Sequence, residues 1–264
     1  MIDKKRMISR FSKAAINYHS TAIAQGRIAK NMIALLHRTK SIKADRVLEI
    51  GCGTGLASLL LLQRLFPKHI IFNDICPEMI NQVTALVSQQ QNLSKQTLKQ
   101  HCLPQYSFIC ADAETCTLPE DLDLIISCST LQWFADLGTF FKRCHSALQT
   151  GGMLAFSTFG KENMREVRAT TQTGLNYLSK HELIAQLQAL GYEVLVAQEE
   201  LLKLTFESPL HVLSHLKQTG VTGIKNHHWT KTELRSYCAE YTKHYTVDTQ
   251  VTLTYHPIYI IAKK

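Results

Sequence analysis

The chain has 264 residues, 45% of them hydrophobic, enough for one domain with a full core and too few for several. No apolar run approaches the roughly 18 residues of a membrane span, no C-x-x-C pair joins any of the 8 cysteines, and the 12 histidines form no H-E-x-x-H, so neither a disulfide scaffold nor a zinc site is predicted. The net charge of +8 favours acidic partners, although the basic residues are too dispersed for a nucleic-acid stripe.

Met1-Ile2-Asp3-Lys4-Lys5-Arg6 is not followed by an apolar stretch, so no signal peptide is predicted and a cytoplasmic location is expected. Residues 1–45 read as two helices. The first lies near residues 8–18, and the second carries Ile28, Met32, Leu35 and Leu36 on a 3.6-residue period. Lys4, Lys5, Arg6, Arg10 and Lys13 form the one dense basic group, either a solvated helix face or a docking patch.

Val47-Leu48-Glu49-Ile50-Gly51-Cys52-Gly53-Thr54-Gly55 is a short apolar run that ends in an acid and breaks into alternate glycines. Residues 56–66 read as the helix that follows. A strand, a glycine turn and a helix N-terminus let backbone approach a nucleotide-like ligand, because glycine has no Cβ in the way. A dinucleotide fingerprint fails in both frames, at Leu56 and at Ser58, and no Lys-Ser/Thr pair follows the glycines as a P-loop requires. Ile70-Ile71-Phe72-Asn73-Asp74 is a second strand ending in an acid, nineteen positions past Gly55, where a carboxylate accepts ribose hydroxyls. Pro77 suits the first turn of a helix with Met79, Ile80, Val83 and Val87 on one face.

Residues 89–105 have little apolar pattern and read as a helix end and loop. Strands at 106–110 and 122–127 lead to Ala111-Asp112-Ala113-Glu114 and to Cys128-Ser129-Thr130-Leu131-Gln132-Trp133, placing each candidate segment at the carboxyl end of a strand. Leu137, Phe140, Phe141, Cys144 and Leu148 mark a helix stopped at Gly151-Gly152, and residues 153–159 a fifth strand. Residues 162–178 add a helix over the site. Ser179-x-x-Glu182 opens a capped helix closed by Gly191, and residues 192–206 read as one sixth strand. Ser208-Pro209 starts a second insertion, Thr230-x-x-Glu233 caps another helix, and Pro257 breaks a last strand at 251–262.

The predicted architecture is α/β: a doubly wound seven-stranded mostly parallel sheet in one domain, 1–264. It comprises N-terminal helices (1–45), a donor-binding core (46–159) and inserted helical lid segments (160–178 and 207–229).

The acid-x-Gly-x-Gly-x-Gly pattern resembles motif I of the class I S-adenosylmethionine-dependent methyltransferases. Arg10-Phe11-Ser12-Lys13-Ala14-Ala15-Ile16-Asn17-Tyr18, Ser129-Thr130-Leu131-Gln132-Trp133, the segment from Phe159 to Glu166, Leu216-Lys217-Gln218-Thr219-Gly220-Val221 and Leu253-Thr254-Tyr255-His256 resemble the malonyl-acyl-carrier-protein O-methyltransferases of biotin synthesis. Met164 departs from the phenylalanine of many members. The resemblance covers nearly the whole chain.

It implies S-adenosyl-L-methionine as co-substrate, no metal, and methylation of the free carboxyl of a malonyl group on an acidic carrier protein, with neither nucleic acid nor membrane as partner. Gly51, Gly53 and Gly55 then admit the methionine part, Asp74 the ribose, and Asp112 and Ala113 the adenine. Glu49 orders the glycine turn through hydrogen bonds, while Ile75, Met79 and Cys128 line the pocket. A malonyl carboxyl has a pKa of roughly 4 and is already ionised, so alignment rather than a general base is expected. Tyr18 either closes the site or is a core aromatic. Gln132 and Trp133 either meet the acceptor or cap the sheet. Arg165 is either a counter-ion to the acceptor or a surface arginine, and Lys13 and Lys217 are carrier contacts or solvated lysines. Two other readings are a methyltransferase for another small carboxylate or quinone-like acceptor and a non-catalytic donor-binding accessory protein. The Asn/Asp-Pro-Pro-aromatic signature of many nucleic-acid methyltransferases is not found after the fourth strand.

Overall fold

A computed structural model of the chain describes residues 3–39, 44–97, 104–221 and 229–264. Two helices, α1 (Lys4–Thr21) and α2 (Ile23–Arg38), precede the alternating units β1 (Arg46–Ile50), α3 (Leu56–Leu65), β2 (His69–Asp74), α4 (Pro77–Thr97), β3 (Gln105–Cys110) and β4 (Leu122–Cys128). After a 3-10 turn at Leu131–Trp133 come α5 (Leu137–Ala147), β5 (Leu148–Phe159), α6 (Arg165–Thr171), α7 (Lys180–Ala189), β6 (Glu193–Glu199) and β7 (Leu202–Phe206). The chain continues through α8 (Pro209–Gln218), α9 (Lys231–Tyr245), β8 (Thr246–Val247), β9 (Gln250–Tyr255) and β10 (Pro257–Lys263).

The main sheet has seven strands in the order β3-β2-β1-β4-β5-β10-β6, with β10 antiparallel to both neighbours and the other pairs parallel. Strand order reverses between β1 and β4, the point at which open α/β sheets bind ligands outside the strands' carboxyl ends. Successive residues of the central strands face opposite layers. Val47, Ile70 and Leu124 join the core with Ile28 and Met32 of α2, Leu61 of α3 and Val83 of α4. Leu48, Ile71 and Ile125 pack with Phe140 and Phe141 of α5 and Leu183 and Leu187 of α7. Both faces are therefore covered, which is why β1, β2 and β4 read as continuous apolar runs.

The predicted caps form. Ser179 and Thr230 each complete a capping box, and Ser208 accepts the His211 N–H with Pro209 in the first turn. Some boundaries differ from expectation, whereas the break expected at Pro257 is found. The run at 192–206 is two strands: β6 closes the main sheet, and β7 enters a three-stranded sheet of order β7-β9-β8. The last strand divides at the same level, since Pro257 has no N–H to donate and the chain passes there from β9 in the small sheet to β10 in the large one. The fifth strand begins at Leu148, five residues before its predicted start. Gly151 and Gly152 lie within its bulged beginning, where Gly151 N donates to the Lys264 carbonyl at 3.2 Å and Lys264 N to that of Gly152 at 2.9 Å. Of the helix end and loop expected at 89–105, α4 takes in residues up to Thr97, and residues 98–103, like the segment 222–228, lie outside the described residues.

The first helix is longer than its apolar pattern predicts, because Asp3 caps it through Arg6 N at 3.0 Å. It packs against α4 and α8, and α8 packs on β7 and α9, so the first helix and the second insertion meet at one end of the sheet.

Candidate active site

The turn after β1 holds Gly51 and Gly53 at φ +67° and +54°, in the left-handed region. A Cβ on Gly51 would collide with the Thr130 side chain, whereas one on Gly53 would meet no protein atom within 4 Å and would enter the cavity. Gly55 does not line that cavity; it caps α3, with Leu86 of α4 3.3 Å from the place a Cβ would occupy.

The turn is fixed from the neighbouring strand. Cys52 N donates to the Asn73 carbonyl at 3.0 Å, and Gly53 N donates to Asp74 Oδ2 at 2.9 Å. The other oxygen of Asp74 accepts Cys76 N at 2.9 Å. Glu49 is expected to order the turn by hydrogen bonds; its Oε2 is buried with no partner among the described residues, whereas Asp74 ties the turn directly.

Burial pushes the Asp74 carboxyl up to about 6, against the pull of the Cys76 and Gly53 N–H groups. Glu49 is pushed up to about 8, by burial first, with the Ser58 hydroxyl opposing and the Asp74 charge adding. Buried acids without a cation are held partly neutral, and a bound cation ionises them. Cys128 is likewise pushed up to about 12 by burial, so its thiol is unreactive wall.

Asp112 lies at the rim of the same cavity, after β3. Its Oδ1 accepts Glu114 N at 3.0 Å, and its Oδ2 receives the Lys4 ammonium at 2.6 Å. Lys4 also meets Glu114, so one member of the basic N-terminal group turns inward and not to solvent. Arg143 of α5 braces this loop from behind, donating to the carbonyls of Ala113 (2.8 Å), Glu114 and Cys116.

The cavity has a volume of about 110 Å³, and every residue predicted to hold the donor lines it except Gly55. Tyr18 and Trp133 line it too, together with Phe11, whose ring meets Trp133 edge-on at 5.7 Å. Adjoining this cavity is a smaller, inner pocket of about 20 Å³, which shares Phe11, Tyr18, Gln25, Ser129 and Trp133 with the first and adds Gln132 and Tyr177. Arg165 lines neither; its guanidinium sits 3.3 Å from Glu162 and 3.8 Å from the buried Glu166. The expected counter-ion is therefore engaged by acids of its own segment. Sequence reasoning misses Gln25 and Arg143 altogether, and the particular partners of Lys4 and Thr130, since these roles arise from contacts between distant elements that carry no local pattern.

Glu49, Asp74 and Asp112 against the single Lys4 leave the cavity acidic, and the orphaned Glu49 oxygen and the space beside Gly53 suit a cationic amino-acid ligand with a ribose. S-adenosylmethionine has that chemistry, so the residues present fit it. Among the described residues no group of His, Cys, Asp or Glu is arranged to hold a metal, and no helix is long and apolar enough to cross a membrane.

The glycine turn at the switch point of this seven-stranded sheet, with an acid near the end of each of three adjacent strands, defines a methyltransferase of the class I fold. A family profile described as a methyltransferase domain matches residues 48–156. The fold is shared with the YcgJ protein of Bacillus subtilis, at a TM-score of 0.62 and 15% identity over 89% of this chain and 98% of that one. It is shared also with phosphoethanolamine N-methyltransferase 2 of Haemonchus contortus, solved with S-adenosylhomocysteine, at a TM-score of 0.54 and 16% identity over 89% and 52% of the chains. A curated relative from Bacteroides thetaiotaomicron, named malonyl-[acyl-carrier protein] O-methyltransferase, is 43% identical over 100% of this chain and 99% of its own length. The chain belongs to the malonyl-[acyl-carrier protein] O-methyltransferase family.

Proposed function

We propose that the protein transfers a methyl group from S-adenosyl-L-methionine to the free carboxyl of a malonyl thioester on acyl carrier protein, giving the methyl ester that starts pimeloyl and biotin synthesis. The observation that carries this reading is the identity of 43% along the full length of a relative so named.

The donor supplies an electrophilic methyl on a sulfonium. Glu49 and Asp74 hold the cationic and ribose parts, Gly53 leaves room for close approach, and Asp112 and Ala113 meet the base. The acceptor carboxylate, with an ordinary pKa of roughly 4, arrives ionised, so no residue need remove a proton. What remains for the protein is to align the two reactants and to exclude the water that would stabilise the carboxylate. Tyr18, Phe11 and Trp133 do this by closing an apolar wall over the junction of the two pockets. Tyr18 keeps its proton throughout, because burial and then the nearby Asp74 charge raise its pKa.

An arm-linked acceptor is supported by the space beyond. Met164, Tyr177 and Val221 belong both to the inner pocket and to a chamber of about 810 Å³ beside α6, α8 and α9. Arg10, Arg168 and Lys217 stand on its wall, with Glu233 and Glu240, and the three cations suit an acidic carrier and the phosphate of its arm. In this reading 1–264 is one methyltransferase domain, 160–178 and 207–229 form its lid, and the enzyme works in the cytoplasm.

Labelled donor offered with malonyl-carrier protein, free malonate and RNA in parallel tests the proposal. Label on malonyl-carrier protein alone supports it. Label on RNA or on free malonate, or none at all, overturns it.

A further inference from the structure

Three residues that line the inner pocket each carry a buried polar atom without a partner among the described residues: Gln25 Oε1, Ser129 Oγ and Gln132 Oε1. Buried polar atoms are nearly always hydrogen-bonded, so three orphans around one small cavity need an explanation. They come from separate elements. Gln25 lies on α2 and is 7% exposed; Ser129 follows β4; Gln132 lies in the 3-10 turn. Ser129 is held at φ +55°, a left-handed conformation that costs a residue with a Cβ about 1 kcal/mol or more and directs its side chain where an extended backbone would not.

We propose that these three uncharged side chains hold the carboxylate of the acceptor beside the donor, so that the sulfonium itself is the carboxylate's only close counter-charge. The inference rests on the function proposed above.

Each group has a donor to offer. The Ser129 hydroxyl donates directly. Gln25 reaches the Tyr255 hydroxyl, which lies 2.8 Å from His215 Nε2, and a phenol flanked by imidazole can donate or accept. Turning the Gln25 amide over lets its oxygen accept from Tyr255 and points its NH₂ into the pocket. Gln132 donates one N–H to the Ser129 carbonyl at 2.6 Å and, with that bond kept, has its second N–H to offer a carboxylate; its Oε1, an acceptor, is not what the carboxylate meets.

Neutral donors suit this reaction better than an arginine does. A guanidinium paired with the carboxylate would stabilise the reactant more than the transition state, in which the negative charge is being spent. The reaction balances without any added reagent: a carboxylate oxygen bonds the methyl carbon, the carbon–sulfur bond breaks with its electron pair going to sulfur, and anion and cation become a neutral ester and a neutral sulfide. Once both charges have gone, nothing electrostatic retains the product.

Two measurements test this. First, affinity for malonyl-carrier protein is measured on enzyme saturated with a donor analogue carrying an amine in place of the sulfonium, and on enzyme saturated with S-adenosylhomocysteine, the neutral sulfide. The cationic complex is expected to bind about tenfold or more tightly; equal affinities overturn the proposal. Second, Gln25→Leu and Gln132→Leu are each expected to raise the acceptor KM about tenfold, with donor affinity unchanged as the check on folding. Should Gln25→Leu lose donor binding, Gln132→Leu and Ser129→Ala decide the matter by the same readout. Wild-type KM values in the variants overturn the cage while the methyl-transfer reading stands. Failure of the wild type to methylate malonyl-carrier protein removes both.

Discussion

The ammonium of Lys4, near the start of the first helix, lies 2.6 Å from the Asp112 carboxylate at the rim of the donor cavity and also meets Glu114. The helix is thus tethered to the rim of the cavity, and the same helix carries Phe11 and Tyr18 into the cavity wall. The side chains of Lys4 and Asp112 are 27% and 24% exposed, so solvent screens the pair and its worth is about 1 kcal/mol. Lys4→Met is expected to speed donor release about fivefold with little change in melting temperature. Stopped-flow displacement of bound donor measures it; an unchanged release rate would mean that α1 stays closed without the tether.

The buried acids make a prediction about pH. The folded-state pKa of Glu49 is raised to about 8 and that of Asp74 to about 6, above their ordinary values. A raised carboxylate destabilises the fold progressively as pH climbs past its unfolded pKa, and the loss is complete above the folded one. Glu49→Gln removes that penalty. Its melting temperature relative to wild type should therefore rise between pH 5 and about 8, then level off. A cationic donor reverses the preference and ionises the acids. Calorimetric titrations near pH 7, in buffers of different ionisation enthalpy, should show proton release on donor binding by the wild type and less by the variant. Equal proton release by both would dissociate Glu49 from the donor.

Two glycines of one turn should fail in different ways. Gly53→Ala places its Cβ in the cavity with no protein atom within 4 Å, so the variant should fold, losing about 1 kcal/mol to its left-handed backbone, and bind donor at least tenfold more weakly. Gly51→Ala drives its Cβ into Thr130 and should lose stability well beyond that. Thermal denaturation and donor titration on both proteins separate the effects, and full donor affinity in Gly53→Ala would place the ligand elsewhere.

Tyr18 lines both the donor cavity and the inner pocket, and burial keeps it protonated. Tyr18→Ala removes the ring that closes the wall over the two pockets and should lower kcat about tenfold by admitting water, with donor affinity changed less. The activity of the wild type should show no alkaline limb from this phenol. An unaltered kcat in the variant would return Tyr18 to the role of core aromatic.

Which strand-end residues line the larger cavity is legible in the sequence because the physics that gathers them is local. A strand buried on both faces is an apolar run, a turn that admits a ligand needs glycine, and an acid at the strand end follows within a few residues; Glu49, Gly53, Asp74 and Asp112 all come from such segments. Pro257 likewise announced a break through its missing N–H. Long-range contacts left no such trace. Nothing near Lys4 tells that its partners lie more than a hundred residues away, and the amphipathic period of α2 accounts for Ile28 and Met32 but not for Gln25 facing a cavity. The run at 192–206 is interrupted by the polar Gln198-Glu199-Glu200, and it is there that the chain leaves β6 in the large sheet for β7 in the small one. Arg165 had the right charge for an acceptor carboxylate, yet its nearest acids, Glu162 and Glu166, lie within its own segment.

The central claim is that a carboxylate oxygen, and no other atom, receives the methyl group. Intact-mass analysis of malonyl-carrier protein after one turnover tests it most directly, followed by treatment with an esterase that leaves thioesters whole. The account predicts a gain of one methyl that the esterase removes, restoring the malonyl mass. A methyl that survives ester hydrolysis, or a carrier protein of unchanged mass, would contradict it.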